Sequence, residues 1–138
     1  SEHVEQVDIV AIIQPSSPFT SPDDIDGTVN LLEQSGADSA VTIVKIDHAI
    51  HPKKLKICEE DRLLPYIEDE NGKMMEHELC DVFVRNGSVY VTHRQVIETG
   101  DIIGNDCRGY LMPKERSLDV NEEMDFLFAE FLSDKTLV

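Results

Sequence analysis

An α/β domain with a mainly parallel, helix-covered sheet is the fold class this sequence predicts, and three observations predict it. Ile9-Val10-Ala11-Ile12-Ile13 is a short, wholly apolar run that breaks abruptly into Gln14-Pro15-Ser16-Ser17-Pro18-Phe19. Runs of this kind read as strands buried on both faces, which is the condition of a parallel sheet with helices on it. A second β-rich run at 39–46 follows a segment bearing helix start and stop signals, so the chain opens as a βαβ unit. Finally, 138 residues with 41% hydrophobic content suffice for one domain with a real core.

The elements follow in order. After the first strand, Ser21-Pro22-Asp23-Asp24 starts a helix: Ser21 accepts from orphan amides, Pro22 suits the first helical position, and the two acids face the positive end of the dipole. Ile25, Val29 and Leu32 form its apolar stripe and Gly36 ends it. Leu55-Lys56-Ile57-Cys58 and Leu63-Leu64-Pro65-Tyr66 are short strands around a polar turn. The acidic stretch from 68 to 78, within a wider 60–80 segment, reads as a mobile loop or as an arm that packs on a partner in a dimer. Val82-Phe83-Val84 and Ser88-Val89-Tyr90-Val91-Thr92 are strand-like, and Asn86-Gly87 between them predicts a hairpin turn. Residues 94–98 predict a short helix and 109–113 a late strand. Asn121 opens the last helix, with Met124, Leu127, Phe128 and Phe131 as its buried stripe.

Composition narrows the function. Acidic residues number 28 against 12 basic, a formal net charge of -16. Duplex nucleic acid and anionic membranes are disfavoured partners, because affinity for both comes from Lys and Arg. A small phosphorylated ligand is not excluded, since a metal ion or a few local cations override net charge. No apolar run is long enough to span a bilayer, and the first residues lack a signal-peptide pattern. Cys58, Cys80 and Cys107 are widely spaced and odd in number, which reads as reduced thiols in a cytoplasmic protein.

Four constellations carry candidate chemistry. Gln14 with Ser16 and Ser17 stands just beyond a strand, where open α/β sheets bind ligands, and a primary amide donates and accepts at once. His48 and His51-Pro52-Lys53-Lys54 place two adjacent ammonium groups after a strand, fit for a carboxylate or phosphate; the plain alternative is a solvated surface cluster. Arg85-Asn86-Gly87-Ser88-Val89-Tyr90 is a turn signal first and a binding segment second. In residues 116–125 acidic groups stand before a helix, where they can hold Mg²⁺, and Asp119, two residues outside that helix, is less easily explained by capping. For Asn121, Glu122 and Glu123 capping is the better account. No Gly-rich phosphate loop follows an early strand.

In series these segments resemble the CMP-N-acylneuraminate synthetases, or acylneuraminate cytidylyltransferases. Residues 14–19 are similar to the family's QP[TS]SPF, residues 51–54 to its HPxK, residues 86–90 to its NG[AS][IV]Y, and residues 110–119 to its YxMPxERSxD. The resemblance implies a three-layer α/β fold of the nucleotide-diphospho-sugar transferase type, here a single, N-terminally truncated domain, and a homodimer. It implies CTP and a nine-carbon 2-keto sugar acid as substrates and Mg²⁺ as cofactor. Lys54 and Asp119 would be the catalytic residues, Gln14, Ser16, Ser17, Lys54, Arg85, Asn86 and Tyr90 would bind substrate, and Asp119 and Asn121 would stand at the metal. Two departures are visible. Asn121 occupies the place of the family's second metal-side Asp, and Val84 stands where the family often has Arg, with Arg85 next to it. The family's N-terminal phosphate loop is also absent, so the chain is expected to be the sugar side of an enzyme. The alternatives are a non-catalytic module that dimerises or binds sugar acid, and a transferase for another 2-keto sugar acid.

Overall fold

The structure, a computed structural model, describes residues 7–67 and 79–135. It divides into two compact units, one of residues 1–44 with 85–138 and one of residues 45–84.

The first unit is built on a four-stranded sheet of order β1-β5-β2-β6, with β1 at Ile9–Ile13, β2 at Ser39–Lys45, β5 at Phe83–His93 and β6 at Cys107–Leu111. β1 pairs antiparallel with β5, Ile9 opposite His93 and Ile13 opposite Val89. The β5 to β2 pairing is antiparallel as well, since the His93 amide reaches the Asp38 carbonyl while the Val89 amide reaches the Thr42 hydroxyl. β2 and β6 run parallel, Ser39 opposite Cys107 and Ile43 opposite Leu111. Three strands therefore share one direction and β5 opposes them: the sheet is mixed, and because β5 lies between β1 and β2 the only parallel pairing among the described strands is that of β2 with β6.

The expectation that residues 9–13 are buried on both faces needs correction. β1 is an edge strand whose Ile13 is 49% exposed. Two-sided burial belongs to the central strands. Ser39, Ala40, Val41 and Thr42 of β2 are all buried, as are Ser88, Val89, Val91 and Thr92 of β5. An apolar run identifies a strand, but its neighbours decide how much of it is covered.

α1 at Pro22–Ser35 forms as its punctuation dictates. The Ser21 hydroxyl accepts from the Asp24 amide at 3.3 Å, Pro22 takes the first turn, and Gly36 closes the helix at φ 65°, the left-handed conformation that glycine adopts without strain. Leu32 is fully buried, and with Ala37, Ala40, Val89 and Val91 it makes the core, against which Ile9, Ile25 and Val29 pack. Burying one such leucine contributes about 2 kcal/mol. α2 at Arg94–Glu98 is the short helix expected after β5, and the expected late strand is β6, displaced slightly toward the N-terminus.

Two further expectations fail. Asn86-Gly87 is not a hairpin turn: β5 runs through it for 11 residues. Asn86 is 7% exposed, and its carbonyl oxygen accepts from the Thr42 hydroxyl at 2.7 Å and from the Ser88 amide at 3.2 Å. Gly87, at φ 77°, absorbs the local distortion without reversing the chain, as a glycine in a bulge does. α3 at Glu123–Asp134 starts one residue later than expected, with Glu122 as cap. Asp125 replaces Asn121 as the capping side chain, accepting from the amides of Asn121 at 3.0 Å and Glu122 at 3.1 Å. The expected apolar stripe is there but not buried: Met124 is 68% exposed, Leu127, Phe128 and Phe131 about half, and only Leu132 is buried.

The second unit holds the antiparallel hairpin predicted around a polar turn, β3 at Lys56–Glu59 and β4 at Arg62–Pro65, with Ile57 opposite Leu64. Before it the chain makes two single 3-10 turns, at His48–Ile50 and Pro52–Lys54. The arm-or-loop expectation for 60–80 falls largely on residues 68–78, outside the described residues. No helix among the described residues is long and apolar enough to cross a membrane.

Candidate functional site

Within the first unit, three segments far apart in sequence meet just beyond β1. The Gln14 amide donates to the Ser88 carbonyl at 3.1 Å, keeping the chain in register with β5 one residue past the strand. Two tight turns follow, Ser17 amide to Gln14 carbonyl at 3.2 Å and Thr20 hydroxyl to Ser17 carbonyl at 2.9 Å. Thr20 and Ser88 share a hydroxyl–hydroxyl bond of 2.5 Å. The loop before α3 joins through the Val120 amide, which donates to the Ser16 carbonyl at 2.8 Å. Gly87 lies beside Asp119: a methyl group added to it would sit 4.0 Å from Asp119 Oδ2.

Two buried oxygens here, Ser17 Oγ and Asp119 Oδ1, have no hydrogen-bond partner among the described residues. Ser17 is 5% exposed. Leaving a buried polar atom unmatched costs about 1–3 kcal/mol, so each oxygen calls for a partner, an ordered water or a ligand. The other Asp119 oxygen accepts from Asn121 Nδ2 at 2.9 Å. Asn121 is thus placed beside Asp119, aiming its amide nitrogen at the carboxylate. Among the described residues no group of three or more His, Cys, Asp or Glu converges into a metal cage. One free carboxylate oxygen does fit Mg²⁺, a hard cation that commonly takes one or two carboxylates and fills its remaining positions with water and substrate phosphate.

Asn86 is tied inward. Besides the two bonds its oxygen accepts, its Nδ2 donates to Ser117 Oγ at 2.9 Å and approaches Met112 Sδ at 3.2 Å. All four bonding positions of the amide are engaged within the protein, so it braces β5 against the loop carrying Ser117 and Asp119. Arg85 is exposed, and Tyr90 is half-buried on β5 opposite Ile12.

An ion pair with a fully buried acid was not singled out from sequence. Asp24 has no exposed surface, and Arg116 clasps it with two bonds, Nη2 to Oδ1 at 2.6 Å and Nε to Oδ2 at 3.2 Å. Burial alone pushes the Asp24 carboxyl up, but the Arg116 bonds, with the Ser21 amide and hydroxyl, outweigh that and hold it below the ordinary carboxylate range. The same pairing raises Arg116. The clasp fastens the start of α1 to the turn leading into Ser117 and Asp119. A signal did exist: Asp24, Thr28 and Leu32 recur every four residues on one helix face, and all three are buried, so the acid lies on an inward face.

Lys54 lies in the second unit. Its amide donates to the His51 carbonyl at 2.7 Å, closing the 3-10 turn, and its ammonium meets His48 Nε2 at 2.5 Å. The segment is not simply a solvated cluster, because His51 is 5% exposed. His51 Nδ1 accepts from the Lys53 amide at 3.2 Å, so Nε2 carries the proton and donates to the Cys80 carbonyl at 3.1 Å. The structure thus gathers Gln14, Ser16, Ser17, Asn86, Asp119 and Asn121 in one unit, and Lys54 is fixed within the other.

Polar loops and an unmatched carboxylate oxygen at a strand tip are features that a mixed α/β sheet can offer a ligand. Comparison with known proteins gives this chain a particular kin. The chain is 28% identical to N-acylneuraminate cytidylyltransferase A of Danio rerio over 94% of its length. It is 24% identical to N-acylneuraminate cytidylyltransferase of Escherichia coli O18:K1:H7 and 28% identical to that of Oncorhynchus mykiss, over 91% of its length in each case. No family model matches the chain. The resemblance to the acylneuraminate cytidylyltransferases carried by its motifs therefore extends over almost the whole chain, which spans about 30% of the length of these curated relatives.

Proposed function

We propose that this chain is the sugar-acid side of a cytidylyltransferase that activates a nine-carbon 2-keto sugar acid of the sialic type with CTP. The observation that carries the proposal is the pair of unpartnered buried oxygens, Ser17 Oγ and Asp119 Oδ1, at a strand tip built from the segments the acylneuraminate cytidylyltransferases share. The fold this implies is the nucleotide-diphospho-sugar transferase type, and the assembly is a homodimer.

In the reaction the anomeric hydroxyl of the sugar acid forms a bond to the α-phosphorus of CTP, loses its proton, and pyrophosphate leaves as the α–β phosphoanhydride breaks. Little covalent work falls to the protein; positioning and charge neutralisation carry the rate. Gln14 and the Ser17 hydroxyl offer donors and acceptors to the sugar. Lys54 receives the carboxylate as a point charge. Mg²⁺, bound through Asp119 Oδ1, would neutralise charge on the phosphates. Asn86 and the Asp24–Arg116 clasp hold the Asp119 loop in place.

Calorimetric titration tests this. N-acetylneuraminate should give heat with this chain, and Lys54→Ala should abolish it with the fold intact. CTP with Mg²⁺ should bind weakly or not at all. Silence toward the sugar acid, or micromolar CTP affinity without it, would sink the proposal.

A further inference from the structure

We infer that His48 is a positioning residue for Lys54: its neutral imidazole, accepting through Nε2, holds the ammonium in one orientation so that the remaining N–H groups are presented to an acid. The inference rests on the reading that Lys54 receives the substrate carboxylate, and it goes further by assigning a second residue to that task. A lysine head on its four-carbon stem is costly to fix, because holding it removes rotamer freedom. Here the backbone does part of the fixing. The His51 amide bonds the His48 carbonyl at 3.3 Å and the Lys54 amide bonds the His51 carbonyl at 2.7 Å, so residues 48–54 form two linked turns that bring the side chains together. The 2.5 Å contact between Lys54 Nζ and His48 Nε2 does the rest. Lysine has only donors, so the imidazole nitrogen must be the acceptor, and its proton sits on Nδ1. One of the three ammonium hydrogens is thereby used, and a carboxylate would take up the others.

The same segment supplies an internal control. His51 accepts through Nδ1 and donates through Nε2, the opposite tautomer. Two histidines three residues apart are thus expected in opposite neutral forms, and long-range proton–nitrogen correlation spectra of the chain at pH 8 read both at once. The expected result is a Nδ1–H form for His48 and a Nε2–H form for His51, with Lys54→Ala moving only His48 toward the mixture of a free imidazole. For N-acetylneuraminate, His48→Ala should weaken binding about tenfold, the size of one hydrogen bond to a charged group. His48→Gln, whose amide oxygen can accept the same hydrogen, should restore most of it. A Nε2–H form at His48 would overturn the inference. So would wild-type affinity in His48→Ala while Lys54→Ala loses binding. Wild-type affinity in Lys54→Ala is a different failure: it removes the reading on which the inference stands, whatever the tautomer.

Discussion

Asp24 is a buried acid that stays charged because its bonds to Arg116 and Ser21 together outweigh the cost of burial. Its carboxyl is held below the ordinary carboxylate range in the fold and has its ordinary value of about 3.9 when unfolded. The sign follows from linkage: the stabilisation is present in full above about pH 5 and is lost as the pH falls through the folded-state value. Acid titration of stability should therefore show a gap between the wild type and Asp24→Asn that is constant near neutrality and narrows below about pH 4. Arg116→Ala should be worse than Asp24→Asn at pH 7, by about 3 kcal/mol relative to wild type, because it leaves a buried carboxylate without its cation. Thermal melts across the pH range check both. Asn86 shows the other side of reading single residues. Asn-Gly is a sound turn signal, yet this amide finds Thr42, 44 positions away in sequence, and becomes a brace inside a strand. Local chemistry was legible there; the partner that redirected it was not.

At the scale of elements, boundaries written in local chemistry were readable. Ser21, Pro22 and Gly36 mark the ends of α1, and Leu55 to Tyr66 gave the hairpin. What failed depends on neighbours. Residues 9–13 form a strand, but their place at the sheet edge is set by β5. The periodicity of α3 is real, but spacing says which side chains share a face and not what covers it. The exposures make a direct prediction. Phe128→Ser, at a half-exposed ring, should cost under about 1 kcal/mol, as surface changes do. Leu132→Ala, at the buried position of the same helix, should cost about 3 kcal/mol. Denaturant melts of the two variants separate the alternatives; equal, large losses would show the stripe to be packed in solution. Three of the four motifs, those of residues 14–19, 86–90 and 110–119, come together in the first unit, and Asp119 stands apart from the cap of α3. The unmatched Ser17 oxygen and the Asp24–Arg116 clasp were hidden, because both arise from contacts that only the fold creates.

For the molecule as a whole, the strong negative charge remains a boundary condition. A net charge of -16 does not itself attract an anion, so under the function proposed above local cations would have to offset it at the ligand. The division into two units adds a point about how the chain is threaded. β2 and β5 are antiparallel neighbours, and everything between residues 45 and 84 is an excursion from one to the other. Closing a shorter loop between adjacent strands is entropically cheap. Splicing Val44 to Arg85 through a brief Gly-containing linker should therefore leave a first unit that still melts cooperatively, detectable by circular dichroism. Such a graft point also makes the excursion exchangeable: a lineage could trade residues 45–84 for another insert between the same two strands without redrawing the sheet that carries them.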